Sequence, residues 1–168
     1  VDTDEYVPLK DGRTLPIKFR LEEGVLAHGG VDCSGAVSFE DPALEAAIRA
    51  SLGQPTGDLQ GADLATITSL TAMRANIQSL SGIECLTGAT NLVLRQNQIS
   101  DLSPLAGLTG LRYLDILDNQ VSDLAPLAGL SDLDRLYAPD NPVASVAPLS
   151  SLTNLRTLAL SNAPVSDI

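Results

Sequence analysis

A near-duplication with a shift of 22 residues constrains the fold of this chain more than any other feature of its sequence. Asn97 returns as Asn119, and Pro104 returns as Pro126. Aligned on the Leu that opens each unit, the sequence contains five units, which start at Leu64, Leu86, Leu108, Leu130 and Leu152. Six residues into these units stand Leu70, Leu92, Leu114, Leu136 and Leu158. A repeat of this length is typical of solenoids, in which each unit packs only on its neighbours.

The repeated pattern L-x-x-L-x-x-L-x-L-x-x-N predicts an α/β solenoid of the leucine-rich repeat type. Each unit forms one coil with a short strand on one side, and the leucine columns point towards the solenoid axis. An asparagine column, formed by Asn97, Asn119 and Asn141, marks where the chain turns out of the strand. We expect these buried amides to bond to backbone groups of neighbouring coils, because a tight turn would otherwise leave such groups unpaired.

The segment "DPALEAAIRASLG" before the first unit predicts a helix that covers the first coil. Asp41 is suited to cap its N-terminus, Pro42 to the first helical position and Gly53 to the C-terminal end. One face of this helix is apolar and consists of Leu44, Ile48 and Leu52. The chain therefore divides into an N-terminal segment at 1–38, a helical cap at 39–63 and repeats at 64–168.

Residues 1–38 predict a β-rich arm or hairpin. "RTLPIKFRL" alternates apolar and polar side chains, which is typical of a half-buried strand, and its apolar residues include Leu15, Ile17 and Phe19. Asp11 and Gly12 form a turn signal before this strand. Because two or three strands alone make a marginal core, we expect the segment to pack on the repeats, on another domain or on another molecule.

Charge and hydropathy exclude several classes of partner. The chain carries 21 acidic and 10 basic residues, for a net charge of −11, which argues against nucleic acid as the main partner. No apolar run approaches the length of a membrane span, so no membrane insertion is expected. Two cysteines, Cys33 and Cys85, either pair and tie the N-terminal segment to the repeats, or pack as small apolar thiols.

The sequence does not indicate an enzyme, a metal site or a cofactor. His28 is the single histidine and lies in a glycine-rich stretch without a nucleophile geometry around it. An aspartate column of Asp101, Asp123 and Asp167 fits turn caps better than a calcium shell, because a serine precedes each one. Phosphate loops, zinc-ligand spacings and nucleophile elbows do not occur.

A candidate binding surface comes from the strand positions that point outwards, five, seven and nine residues after each opening Leu. In the second to fourth units these positions bring together the predicted contact residues Arg95, Tyr113, Asp115, Leu117, Arg135 and Tyr137. Tyrosine and arginine are enriched at interface hot spots. The alternative is a solvated face on which these side chains only stack across strands.

Residues 40–168 resemble the internalin-like class of bacterial leucine-rich repeat proteins, whose repeats are 22 residues long. "NQISDLSPLAGLTGLRYLDILDN" matches that class nearly letter by letter, and "FEDPALEAAIRASLG" is similar to its helical cap. The resemblance implies a secreted or cell-surface protein that binds another protein or a glycan through a curved strand face. It does not extend to residues 1–38.

The last unit raises a second hypothesis about function. A solenoid exposes its apolar columns unless each end is covered, and the last unit contributes Leu155, Leu158 and Leu160. Either further repeats of a longer array cover them, or a second copy does so through the arm that carries Leu15, Ile17 and Phe19. Head-to-tail contacts of the second kind build a homopolymer, in the form of an extracellular filament.

Overall fold

The computed structural model describes residues 31–166 in full and, of the first thirty residues, the backbone of 6–8 and 14–16. Two helices, α1 and α2, span Pro42–Leu52 and Gly61–Leu64. The strands β1 to β7 span Tyr6–Pro8, Thr14–Pro16, Ser69–Thr71, Asn91–Val93, Tyr113–Asp115, Arg135–Tyr137 and Thr157–Ala159. Short 3₁₀ helices at Ile83–Cys85, Ser103–Leu105, Ala125–Leu127 and Ala147–Ser151 lie on the opposite side of the coils.

The strands β3 to β7 form one parallel sheet in sequence order, with each strand paired to the next. Pairing places each residue beside the one 22 positions later, so that Leu92 lies between Leu70 and Leu114. The sequence period is therefore one rung of the sheet. This arrangement confirms the predicted α/β solenoid of five coils.

The core of the solenoid is built from the predicted apolar columns. The leucine six residues into each coil is at most 1% exposed in the first four coils. On the far side, Asp101 and Asp123 accept hydrogen bonds of 2.8 Å from the N–H groups of Ser103 and Ala125. These aspartates thus cap the 3₁₀ helices, whereas Asp167 lies outside the described residues.

Helix α1 begins and ends where its sequence predicts. Asp41 is the N-cap, Pro42 opens the helix, and Gly53 ends it with a φ of 66°, a conformation that glycine adopts without strain. Leu44 and Ile48 are fully buried against the first coil. The helix therefore covers the N-terminal end of the leucine columns.

The asparagine column links each coil to the one before it. Asn119 accepts a hydrogen bond from the Ile99 N–H at 3.0 Å and donates to the Leu94 carbonyl at 3.1 Å, both in the preceding coil. It also donates to the Ile116 carbonyl of its own coil at 3.0 Å. Asn97 and Asn141 make the equivalent bonds, so the buried amides hold the coils in register.

The N-terminal segment contains an antiparallel pair of strands. β1 pairs with β2 on either side of Asp11 and Gly12, with Val7 opposite Leu15. Ile17 and Phe19 lie outside the described residues. Nearer the cap, a disulfide joins Cys33 to Cys85, with 5.4 Å between the two Cα atoms. It fixes the segment before α1 to the first coil.

The last coil is more exposed than the others. Leu158 is 40% exposed, and Leu155 and Leu160 are partly buried at the edge of the core. No helix among the described residues has the length and apolar character needed to cross a membrane.

Candidate functional site

The middle of the sheet presents a cluster of large side chains, which we call the strand face: Arg95, Tyr113, Asp115, Leu117, Arg135 and Tyr137. The parallel register determines its neighbours. Tyr113 on β5 lies beside Arg135 on β6, and Asp115 lies beside Tyr137. Because adjacent strands are about 4.8 Å apart, residues 20 to 24 positions apart in the sequence become direct neighbours.

Two tyrosines form the aromatic centre of the strand face. The ring centroids of Tyr113 and Tyr137 are 5.5 Å apart, and their planes are tilted by 38°. This geometry lies within the range that aromatic pairs prefer. Both side chains remain half-exposed, so the pair offers a flat apolar surface with two polar hydroxyl groups.

Asp115 differs from its neighbours because it is buried, at 3% exposure. Strand alternation places it on the outward side, but Arg95 from the preceding coil covers it and forms an ion pair with its carboxylate. The Tyr113 hydroxyl donates to the same carboxylate at 3.5 Å, and the Leu117 N–H donates at 3.2 Å. Asp115 thus holds three neighbours in place, and a partner on this face would meet Arg95 and Tyr113 first.

Burial and the nearby Asp115 carboxylate both raise the pKa of the Tyr113 hydroxyl above its ordinary value. Tyr113 therefore stays protonated and remains a hydrogen-bond donor. The Arg95 Nε is buried without a hydrogen-bond partner among the described residues. Such an unpaired donor carries a desolvation cost.

Arg112 and Arg156 were not among the predicted contact residues, yet they border the strand face. They stand four residues after an opening Leu, just before β5 and β7, with Asp134 between them in the backbone ladder. A groove of about 280 Å³ is lined by these three residues together with Asp132 and Asn154. The signal that could have found them is an alternation of charge, Arg-Asp-Arg, at a spacing of 22.

Comparison with known proteins agrees with this geometry. A family model described as "Leucine Rich repeats (2 copies)" matches residues 90–129. The crystal structure of an internalin, InlF, from Listeria monocytogenes superposes with a TM-score of 0.72 and 34% sequence identity over 74% of this chain. This chain is an internalin-like leucine-rich repeat protein. The internalin-like match spans only 37% of the InlF chain.

A second internalin from the same organism, internalin C2, is 29% identical over 77% of this chain and 88% of its own, with a TM-score of 0.44. No curated protein matches the internalin-like sequence at a significant level.

Proposed function

We propose that this chain is a non-enzymatic extracellular module that binds another protein through the strand face. The observation that supports this most directly is the half-exposed pair of Tyr113 and Tyr137, 5.5 Å apart at the centre of the sheet. Tyrosines of this kind supply large contact areas at a low entropic cost and are frequent anchors of interfaces. Leucine-rich repeat folds are typical of protein–protein interaction modules.

The polar groups around the tyrosines favour binding over a merely solvated face. Asp115 orients Arg95 and Tyr113 before any partner arrives, which lowers the entropy that binding must remove. The unpaired Arg95 Nε adds a cost that a purely structural sheet does not need. Groups held at such a cost are characteristic of functional sites.

The disulfide between Cys33 and Cys85 supports an extracellular location, because disulfides persist in oxidising compartments. The net charge of −11 disfavours nucleic acid as a competing partner. Both observations agree with a secreted or cell-surface module.

Photocrosslinking tests the proposed surface. The chain with benzoylphenylalanine in place of Leu117 is incubated with extracellular proteins, and the crosslinked partner is then titrated against variants. We expect Tyr113→Ala together with Tyr137→Ala to weaken binding by about 30-fold or more, because hot-spot tyrosines contribute about 2 kcal/mol or more. Ser150→Ala with Thr109→Ala, two exposed changes on the opposite side, should leave the affinity unchanged. Equal binding by both double variants would contradict the proposal.

Self-assembly is the second candidate function, and the exposure of Leu158 favours it. A second copy whose arm carries Leu15, Ile17 and Phe19 would cover that leucine, as would further coils in a longer chain. Sedimentation of the chain over a range of concentrations separates the possibilities. Filaments require polymers that disappear when residues 1–38 are deleted, and a monomer at high concentration excludes them.

A further inference from the structure

The arginines of the described part of the chain fall into two groups. All six basic side chains between residues 31 and 166 are arginines. Three of them donate hydrogen bonds inside the molecule, namely Arg49 to Glu45, Arg74 to Gln96 and Arg95 to Asp115. The guanidinium groups of Arg112, Arg135 and Arg156 donate none to any described residue. These three form what we call the arginine rim.

The arginine rim is contiguous, although its members are 21 to 23 residues apart in sequence. Arg112 and Arg156 flank Asp134 in successive rungs of the backbone ladder, and Arg135 opens β6 beside Tyr113. The rim therefore lies along the N-terminal ends of β5 to β7 and adjoins the tyrosine pair. A partner lying across the tyrosines passes directly over it.

Carboxylates within the chain leave most of the rim's hydrogen-bonding capacity unused. Asp134 lies 3.3 Å from the Arg135 Nε and 3.7 Å from the Arg156 Nε. Both contacts use Nε, so the two Nη groups of each arginine face away from this carboxylate. Arg135 and Arg156 are 56% and 85% exposed, and Arg112 forms no ion pair with a described residue. Paired Nη donors match the geometry of a carboxylate.

The local charge also favours an acidic ligand. The rim and its groove contain three arginines against two carboxylates, Asp132 and Asp134, whereas the whole chain carries a net charge of −11. An acidic segment is therefore attracted here and repelled elsewhere, which steers it towards the groove. A dense polyanion meets the same repulsion along its whole length, so a short acidic stretch fits better than nucleic acid.

We propose that the groove between Arg112 and Arg156 receives the carboxylates of an acidic peptide segment of the partner protein, with a neighbouring apolar residue on Tyr113 and Tyr137. This inference rests on the proposed function, because it names the chemistry of the partner at the same strand face. Arg112 and Arg156 determine the specificity for acidic residues, and the tyrosines provide the apolar contact.

A synthetic probe tests the inference without the natural partner. A peptide of glutamates with one tryptophan is titrated into the ¹⁵N-labelled chain, and backbone and arginine Nε–H signals are followed by NMR. We expect shifts at Arg112, Arg135 and Arg156, and a weaker affinity as salt is added. Arg112→Gln with Arg156→Gln should weaken binding by about tenfold, in keeping with two exposed ion pairs. Arg49→Gln, on the cap helix, is the matched control and should have no effect.

Three outcomes would overturn the inference. One is equal binding of a peptide with glutamine in place of glutamate, and another is unchanged affinity in the Arg112→Gln and Arg156→Gln variant. The third is displacement of the acidic peptide by duplex DNA or heparin at lower concentration. A partner that depends on Tyr113 and Tyr137 but not on Arg112 and Arg156 leaves the proposed function intact and removes only this inference. Shifts at the rim that are insensitive to Tyr113→Ala with Tyr137→Ala support the acidic specificity and count against the strand face.

Discussion

Asp41 stabilises more of the molecule than an N-cap usually does. Its Oδ1 accepts from the N–H groups of Ala43 and Leu44 at 2.9 and 3.3 Å, as a cap should. Its Oδ2 accepts from Gln78 and Ser79 in the first coil at 2.7 and 3.3 Å. One carboxylate therefore closes the helix and fastens it to the repeats. Burial alone would raise the pKa of Asp41, but these four N–H donors outweigh it and lower the pKa below 3.8.

Asn is ordinarily as good an N-cap as Asp, but we expect Asp41→Asn to destabilise this protein by about 1–2 kcal/mol. The amide has one oxygen and can serve only one of the two pairs of N–H groups. Because the pKa is lower in the folded state, the advantage of Asp41 is fully present above about pH 4 and is lost as the pH falls through the folded pKa. Urea unfolding of both proteins at about pH 7 and about pH 3 measures the difference. An equal difference at both pH values would contradict this account.

At the scale of the element, each coil depends on hydrogen bonds that reach into the coil before it. Asn119 satisfies the Ile99 N–H and the Leu94 carbonyl, both in buried positions. We expect Asn119→Ala to lower the free energy of unfolding by about 2–4 kcal/mol, because buried backbone groups are left unpaired. Exposed Gln120, one residue later, is the matched control, and Gln120→Ala should change stability by less than about 0.5 kcal/mol. Chemical denaturation of both variants tests this, and a loss at Asn119 no larger than at Gln120 would rule the ladder out as a source of stability.

The sequence predicted this level of structure well because its signals are local and repeated. The columns of leucine and asparagine fix which side chains face the axis, and a register of one coil follows from the period. The strand face was predicted less completely. Strand alternation correctly turns Asp115 outwards, but its burial depends on Arg95, which stands 20 residues earlier and reaches across a rung. Arg112 and Arg156 were missed for the same reason, since their exposure depends on neighbouring coils and not on their own strand.

At the scale of the whole molecule, the solenoid protects its interior unevenly along its length. Leu114 and Leu158 occupy the same column, two coils apart, yet Leu114 is fully buried and Leu158 is 40% exposed. The surroundings differ because Leu114 has a strand on either side, whereas Leu158 is paired only with Leu136 in the sheet. Identical side chains in identical local sequences thus bury different areas.

We expect Leu114→Ala to lower the free energy of unfolding by about 3 kcal/mol, because it removes buried surface and leaves a cavity. Leu158→Ala should cost about 1 kcal/mol or less, since the surrounding water already reaches this side chain. Guanidinium unfolding at low protein concentration measures both values. Repeating the Leu158→Ala measurement at high concentration adds a test of self-assembly, because a second copy that covers Leu158 would make the loss grow with concentration. A loss that is small and independent of concentration would count against association through the last coil and leave the strand face as the interaction surface.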